Sequence, residues 1–159
     1  MKKMGKLDEL DMKILTELVK DSSISIPKLS KKLNSNPSVT YSRVKRLLNR
    51  NIIKRFTIEV NEELLGYNVA AIIGINIDPK KRDEVVNGLL SLPEVREVSE
   101  VTGRFDIIAK IKTKSLDALR EFVSEKIGRI PGLIKSETFL EMKRTTSSHD
   151  YTLDGLKPA

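Results

Sequence analysis

Residues 25–50, SIPKLSKKLNSNPSVTYSRVKRLLNR, contain two helix starts separated by a short turn. Ser25 with Pro27 opens one helix, and Asn36 with Pro37 opens the next. In both, a side-chain oxygen can cap a free amide, and proline lacks the N–H that a first helical turn leaves unpaired. The turn between the helices is four residues long. This arrangement predicts a helix-turn-helix, whose second helix lies in the major groove of DNA.

The second of these helices, predicted over about Pro37–Asn49, has one inward and one outward face. At 100° per residue, Thr40, Val44, Leu47 and Leu48 fall together and should pack inward. The opposite face is polar and basic: Ser38, Ser42, Lys45, Arg46 and Asn49. We expect its N-terminal residues to face bases and its cations to reach phosphates or guanine. The candidate DNA-binding residues are Lys28, Ser38, Val39, Ser42, Arg43, Lys45, Arg46 and Arg50.

The charge distribution supports the same interpretation. Residues 22–58 contain nine Lys and Arg and no acidic residue. Residues 1–61 have 14 Lys and Arg against 6 Asp and Glu, a net charge of +8, whereas residues 62–159 have 15 against 16, a net charge of −1. A surface of one sign repels itself unless a polyanion meets it, which favours double-stranded DNA as the partner. The alternative is a solvated charged helix that binds nothing.

Patterns on either side extend the helical module. From Leu7 onward, apolar residues recur at three- and four-residue steps, with acidic residues placed early, where the helix dipole favours them. Asn51 can take the left-handed conformation that ends a helix. Residues 53–60 then alternate and are rich in β-branched side chains, which predicts a connecting strand.

The rest of the chain has a βαββαβ order, the ferredoxin-like arrangement, so the fold class is α+β. The segments 69–75 and 107–109 offer apolar groups to both faces of the sheet, although helices cover only one. A second copy of the chain is the simplest cover, which predicts a two-fold homodimer; the alternative is a monomer with an apolar sheet face. The predicted elements are strands at 67–77, 95–102, 107–112 and 133–142, and helices at about 82–91 and 115–128.

Several classes of protein find little support. The chain has no cysteine, and its longest apolar run, residues 69–73, is far shorter than a membrane span. Its single histidine, His149, has no second imidazole to share a metal and is expected to be solvated. No nucleotide-binding or hydrolase motif is present. We expect a cytoplasmic protein with no cofactor, metal or catalytic site.

Several short motifs spaced along most of the chain carry a family resemblance. They are residues 7–15 (LDELDMKIL), Asn36-Pro37-Ser38 with residues 43–47 (RVKRL), Leu65-Gly66-Tyr67, residues 101–106 (VTGRFD), and Ile130-Pro131-Gly132 with Thr138. From Leu7 to about Arg144 the chain resembles the Lrp/AsnC (feast/famine) family of bacterial and archaeal transcription regulators. Asn36 stands where the family usually has a Ser cap, and Asn51 where it usually has Gly, but both substitutes meet the same conformational need.

The resemblance implies a winged or plain helix-turn-helix domain, a connecting strand and a ligand-sensing ferredoxin-like domain. It also implies dimers through the sheets, further assembly into tetramers or octamers, and a small amino acid bound at the junction between dimers, near a Gly-x-x-Asp connection. We therefore expect domains at 1–51 (helix-turn-helix), 52–66 (strand and linker), 67–144 (effector binding and oligomerisation) and 145–159 (tail).

The Gly-x-x-Asp connection here is residues 103–106. Asp106 is suited to accept from an α-ammonium, and amides near Gly103 can approach a carboxylate. Arg104 is open to three roles: pairing with an acidic effector, with the α-carboxylate, or only with Glu100. The alternative to a ligand site is an ordinary hairpin turn. The candidate effector-binding residues are Thr102, Gly103, Arg104, Phe105, Asp106 and Thr138.

Three functions remain open at this point. The first is an effector-responsive transcription regulator, and the second is an architectural DNA-binding protein with weak sequence preference and no effector response. The third is an RNA-binding module, which needs aromatic side chains on the sheet. The chain has only 4 Phe and 3 Tyr, with no Phe-x-Phe or Tyr-x-Phe pair on the third strand, so RNA is the least favoured partner.

Overall fold

The computed structural model describes residues 6–147 and 150–153, so His149 lies outside the described residues. The chain divides into two compact units. We call residues 1–59 with 146–159 the helical unit, and residues 60–145 the sheet unit. None of the helices in the described part of the chain is long and apolar enough to cross a membrane.

The helical unit contains three helices, and the expected caps set where two of them begin. Asp8 and Asp11 form a capping box at the start of the first helix, each carboxylate accepting the other's backbone N–H (3.1 and 3.0 Å). Asn36 Oδ1 accepts the Ser38 N–H at 2.8 Å, which confirms the predicted cap of the third helix. Ser25 occupies the cap position of the second helix without a side-chain bond to that helix. The helices are α1 (Glu9–Lys20), α2 (Ile26–Lys32) and α3 (Pro37–Asn49).

The core of the helical unit lies where the three helices meet. Thr40, Val44 and Leu47 of α3 are buried, as their spacing predicted. Two asparagines turn the chain sharply at the ends of helices: Asn34 has φ 50° and Asn51 has φ 58°. Asn51 thus confirms the left-handed end predicted for α3. The buried apolar residues from all three helices are Met12, Ile14, Leu18, Leu29, Val44 and Leu47.

The connecting strand predicted after α3 is not a strand in this structure. Residues 54–61 pair with no strand in the described part of the chain, and all of them are exposed, including the apolar Phe56, Ile58 and Val60. A strand requires a hydrogen-bonded neighbour, and alternation in the sequence does not supply one. The described residues of the helical unit also form no β-hairpin wing.

The C-terminal segment returns to the helical unit and contacts α1. The Tyr151 N–H donates to Thr16 Oγ1 at 2.9 Å, and the Lys20 ammonium lies 3.0 Å from the Asp150 carboxylate. The helical unit is therefore discontinuous in sequence, with residues 146–153 added to its first 59 residues.

The sheet unit is an antiparallel four-stranded sheet with the strand order β2-β3-β1-β4, which confirms the ferredoxin-like prediction. The last helix ends in irregular turns, a π-helical turn at Phe122–Lys126 and a 3-10 turn at Ile127–Arg129. The elements are β1 (Val69–Ile77), α4 (Arg82–Leu90), β2 (Val95–Glu100), β3 (Ile107–Thr113), α5 (Leu116–Glu121) and β4 (Leu133–Leu140).

The two faces of this sheet differ. One face packs against the helices, and its side chains from β1 and β3 are buried with those of α4 and α5: Ala71, Ile73, Ile75, Ile107, Ala109, Ile111, Val85, Leu89 and Leu119. We call the opposite side the open face. It is partly apolar and carries Ala70, Ile72, Gly74, Ile108, Lys110, Glu137 and Phe139.

Candidate nucleic-acid interface and effector loop

Helix α3 presents an exposed polar surface that begins at its N-terminus. Ser38, Val39, Ser42 and Lys45 are exposed, in agreement with the predicted outward face. Tyr41 was not among the predicted DNA contacts, yet its side chain is 54% exposed and its ring centroid lies 5.8 Å from the Lys45 ammonium. Its position on α3, one turn before Lys45, is the sequence signal that identifies it.

Two of the predicted phosphate contacts have intramolecular partners. The Arg43 guanidinium donates to Asp8 Oδ2 and lies 3.3 Å from Asp11 Oδ1, and the Arg46 guanidinium donates to Asp11 Oδ2. The Asp11 side chain is fully buried, whereas those of Arg43 and Arg46 are 26% and 37% exposed. Asp11 therefore does more than complement the dipole of α1: it ties α1 to α3.

The spacing of these four residues carried the signal that sequence reasoning missed. Asp8 and Asp11 are one helical turn apart, and so are Arg43 and Arg46. Two acids and two cations at matched spacing on two helices can form a network when the helices pack side by side. Helix periodicity and the helix dipole describe one helix at a time, so they assigned Asp8 and Asp11 to the dipole of α1 and did not identify this network.

The network also affects titration. Burial raises the pKa of the Asp8 carboxyl, but the hydrogen bond from Arg43, the bond from the Asp11 N–H and the nearby positive charges outweigh burial, so the pKa lies below its usual value. The hydrogen bond to Asp8 likewise raises the pKa of Arg43. Both shifts favour the charged pair.

The remaining cations differ in their availability. Lys28, Lys31 and Lys45 are exposed and form no ion pair within the described residues. Lys32 pairs with Glu17 at 3.0 Å. Arg50 is half-buried, and its Nε and Nη1 have no hydrogen-bond partner in the part of the chain that the structure describes. The surface charge available to a polyanion is therefore mainly lysine.

In the sheet unit, the predicted effector loop is the connection between β2 and β3. Asp106 sits at its end, where the pairing of β1 with β4 shifts register between Asn76 and Ile77. Asp106 Oδ2 accepts the Ile77 N–H at 3.0 Å, and the Asn76 side-chain amide lies 3.5 Å away. Part of the carboxylate expected to bind an α-ammonium thus satisfies a strand amide that the irregular register leaves free.

Phe105 of the same loop lies on the open face over Gly74. A Cβ added at Gly74 would stand 2.5 to 2.7 Å from three atoms of the Phe105 ring, so only glycine leaves room for the ring. The ring also contacts Phe139 edge to face, with centroids 6.2 Å apart. The loop is therefore held at two points, by the Phe105 ring and by the Asp106 carboxylate.

The other candidate effector residues do not all come together. Pairing with Glu100 was one of three predicted roles of Arg104, but the Arg104 guanidinium pairs with Glu137 instead, at 2.7 Å. Thr138 pairs with Ile73 and shares its face, whereas Phe105 and Glu137 lie on the open face. Within a single chain, the Thr138 side chain therefore lies on the opposite side of the sheet from Phe105 and Glu137. Thr102 and Gly103 are exposed, with φ 136° at Gly103.

Comparisons with known proteins agree with both units. The winged helix-turn-helix DNA-binding family matches residues 7–54, and the Lrp/AsnC ligand binding domain family matches residues 70–151. The HTH-type transcriptional regulator FL11 of Pyrococcus furiosus is 38% identical over 139 residues, which are 87% of this chain and 91% of that protein.

Solved structures give the same result. AsnC of E. coli superposes with a TM-score of 0.82 at 29% identity, covering 89% of this chain and 96% of that one. A transcriptional regulator of Neisseria meningitidis, solved in complex with L-Met, has a TM-score of 0.89 at 21% identity, covers 96% of this chain and 100% of that one, and supports the fold alone. The chain belongs to the Lrp/AsnC family of DNA-binding transcriptional regulators.

Proposed function

We propose that this protein is a sequence-specific regulator that binds double-stranded DNA through α3 and responds to a small amino acid through its sheet unit. The observation that carries the proposal is the exposed N-terminal surface of α3, where Ser38, Val39 and Ser42 are accessible beside Lys45, which forms no ion pair within the described residues. Hydroxyl and apolar groups at the N-terminus of such a helix can reach base edges, and lysines can contact phosphates.

In vitro selection of bound duplexes, followed by affinity measurements on selected and scrambled sequences, tests sequence specificity. We expect affinities to differ by at least about 10³ at fixed salt, as is typical of specific DNA binding. Equal affinity for both duplexes would instead favour an architectural protein with weak sequence preference. The salt concentration must match in both measurements, because phosphate contacts dominate affinity at low salt.

A homodimer formed through the open face is the second part of the proposal. Ile72, Ile108, Phe105 and Phe139 make this face partly apolar, and a second copy of the same sheet would cover it symmetrically. A dimer also presents two α3 helices to two half-sites. Analytical ultracentrifugation tests this assignment: Ile72→Asp should shift the protein toward monomer, and an unchanged assembly would exclude this face. The same experiment also detects any further assembly of dimers into tetramers or octamers.

The amino-acid response is proposed for the loop 103–106 and its neighbours. The matched family is a ligand binding domain, and the same fold accommodates L-Met in the regulator from Neisseria meningitidis. The exposed Arg104–Glu137 pair offers one group for each charge of a zwitterion. Because Asp106 also supports β1, Arg104→Gln is a cleaner test of binding than Asp106→Ala.

Calorimetry with each of the twenty amino acids, combined with light scattering, tests the response. We expect at least one amino acid to release heat and to change the size of the assembly, and Arg104→Gln to weaken that response. Arg129→Gln is a suitable control, because this exposed arginine pairs with Glu125 away from the loop. No heat from any amino acid would contradict a sensing role.

A further inference from the structure

Two sets of basic residues in the helical unit differ in their partners. Arg43 and Arg46 belong to the first, because both donate to the buried Asp11 carboxylate or to Asp8. Lys28, Lys31 and Lys45 belong to the second, because they are exposed and have no acidic partner among the described residues.

We infer that Asp11 is a positioning residue for DNA recognition, and that it acts by holding Arg43 and Arg46 away from the phosphates. The inference rests on the proposed DNA-binding function. Asp11 comes from α1 and both arginines come from α3, so the network fixes the rotation of α3 about its own axis. That rotation decides whether Ser38 and Ser42 point toward the bases.

Energetics favour this assignment over a direct phosphate contact. A fully buried carboxylate is costly unless cations neutralise it, and Asp11 has only these two arginines beside it in the described structure. Moving Arg46 to a phosphate would leave Asp11, among the described residues, with Arg43 at 3.3 Å as its one cation and the Asp8 N–H as its other donor. Lys45 leaves no carboxylate behind when it binds DNA.

The salt dependence of DNA binding separates the two sets. Each phosphate contact contributes about 0.9 to the slope of log affinity against log salt concentration. We expect Lys45→Gln to reduce the slope by about one, whereas Arg46→Gln leaves the slope unchanged and lowers affinity for the selected duplex. A decrease of about one unit in Arg46→Gln would overturn the inference.

The opposite change provides the stronger test. Asp11→Asn removes the one acidic partner that Arg46 has among the described residues, so Arg46 becomes free to reach a phosphate, whereas Arg43 keeps its bond to Asp8. We expect the slope to increase by about one and the discrimination between selected and scrambled duplexes to fall at least tenfold. An unchanged slope would sink the inference, since it would mean that Asp11 does not restrain the arginines.

Asp8→Asn and Glu9→Gln are two further variants for this experiment, because each raises the net charge at the start of α1 by one unit. Asp8 contacts Arg43 and is half-exposed, so its variant should keep the fold and raise the slope by a smaller amount. Within the part of the chain that the structure describes, Glu9 pairs with Lys13 alone, at 2.8 Å, so its variant should leave the slope unchanged. An equal rise in Glu9→Gln would assign the effect to net charge and contradict the inference.

Failure of the inference can be distinguished from failure of the proposed function. If the unmodified protein binds no duplex, or Lys45→Gln does not alter the slope, DNA recognition by α3 fails. Asp11 is then judged by ¹⁵N spectra of the full-length protein without DNA. Slow rotation of the Arg46 guanidinium group that becomes fast in Asp11→Asn supports the restraint, and fast rotation in the unmodified protein excludes it.

Discussion

Asp11 of the helical unit and Asp106 of the sheet unit are both carboxylates with structural partners, but the partners differ in kind. Asp11 is fully buried against two guanidinium groups, whereas Asp106 accepts the N–H of Ile77 at 3.0 Å. The first interaction depends on charge, and the second needs only an oxygen acceptor. An acidic residue beside a proposed binding surface can therefore be assigned a role in ligand binding only after its partners within the protein are known.

The largest expected effect is the difference between Asp11→Asn and Asp106→Asn in unfolding free energy. Asparagine keeps an acceptor oxygen, but at position 11 it removes the buried charge beside two guanidinium groups and leaves Arg46 without an acidic partner among the described residues. We therefore expect a loss of about 3 kcal/mol there. At position 106 we expect a loss of about 1 kcal/mol. Denaturant unfolding measures the size of each change, and hydrogen exchange locates it in α1 or in β1. Equal losses would remove the distinction between the two carboxylates.

The next prediction concerns the contact between Gly74 and the Phe105 ring, which is the second contact that holds the loop 103–106. Gly74→Ala places a methyl group against the Phe105 ring and should cost about 2 kcal/mol by overpacking. Gly88→Ala is the matched control: its Cβ would meet Ile130 Cγ2 at an ordinary 3.4 Å, within helix α4. Alanine is a better helix former than glycine, so the control should gain about 0.5 to 1 kcal/mol.

Thermal unfolding measures both glycine variants. If Gly74→Ala costs no more than Asp106→Asn, the loop depends on its hydrogen bond and not on the ring. A loss in Gly88→Ala would instead show that the sheet unit tolerates no added methyl at either site.

The smallest effect concerns pH and the half-exposed Asp8–Arg43 pair. Because the pKa of Asp8 in the folded chain is below its usual 3.8, the unfolded chain takes up the proton first as the pH falls. The stabilisation is fully present above about pH 4 and is lost as the pH falls through the lower, folded pKa. We expect this contribution to be about 0.5 kcal/mol, as is usual for exposed pairs.

Unfolding of Asp8→Asn between pH 2 and 6 checks the sign. The variant should be slightly less stable than the unmodified protein at pH 6, and the difference should vanish at the acid end. A difference that grows as the pH falls would contradict the stated pKa direction.

Local signals in the sequence predicted most of the fold. The bounds of α3 followed from Asn36 and Pro37 at one end and Asn51 at the other, since caps act within a few residues. The order of the sheet unit followed from apolar strand segments, helix periodicity and the turn residues between them. The strand predicted over 53–60 is absent because a strand needs a hydrogen-bonded partner strand, and the sequence of one segment does not show whether such a partner exists.

The candidate sites were harder to predict because they depend on contacts between distant residues. Asp11 and Arg46 are 35 positions apart, and Ile77 and Asp106 are 29 apart. The side of the sheet on which Thr138 lies depends on strand register, and a shift of one residue reverses it. The exposed residues of α3 were predicted well, since their exposure follows from helix geometry alone.

The return of residues 146–153 to α1 has a practical consequence for dissecting this molecule. Polypeptide crosses between the two units twice, once near residue 59 and once near residue 146. A protease that cuts only the first crossing separates residues 1–59 covalently from the rest, so the C-terminal peptide then holds the two fragments together only by noncovalent contacts with α1. An expression fragment that stops at residue 59 also lacks Tyr151, whose N–H bonds to Thr16. Fragments intended to isolate DNA binding should therefore be compared with a version that restores the C-terminal peptide.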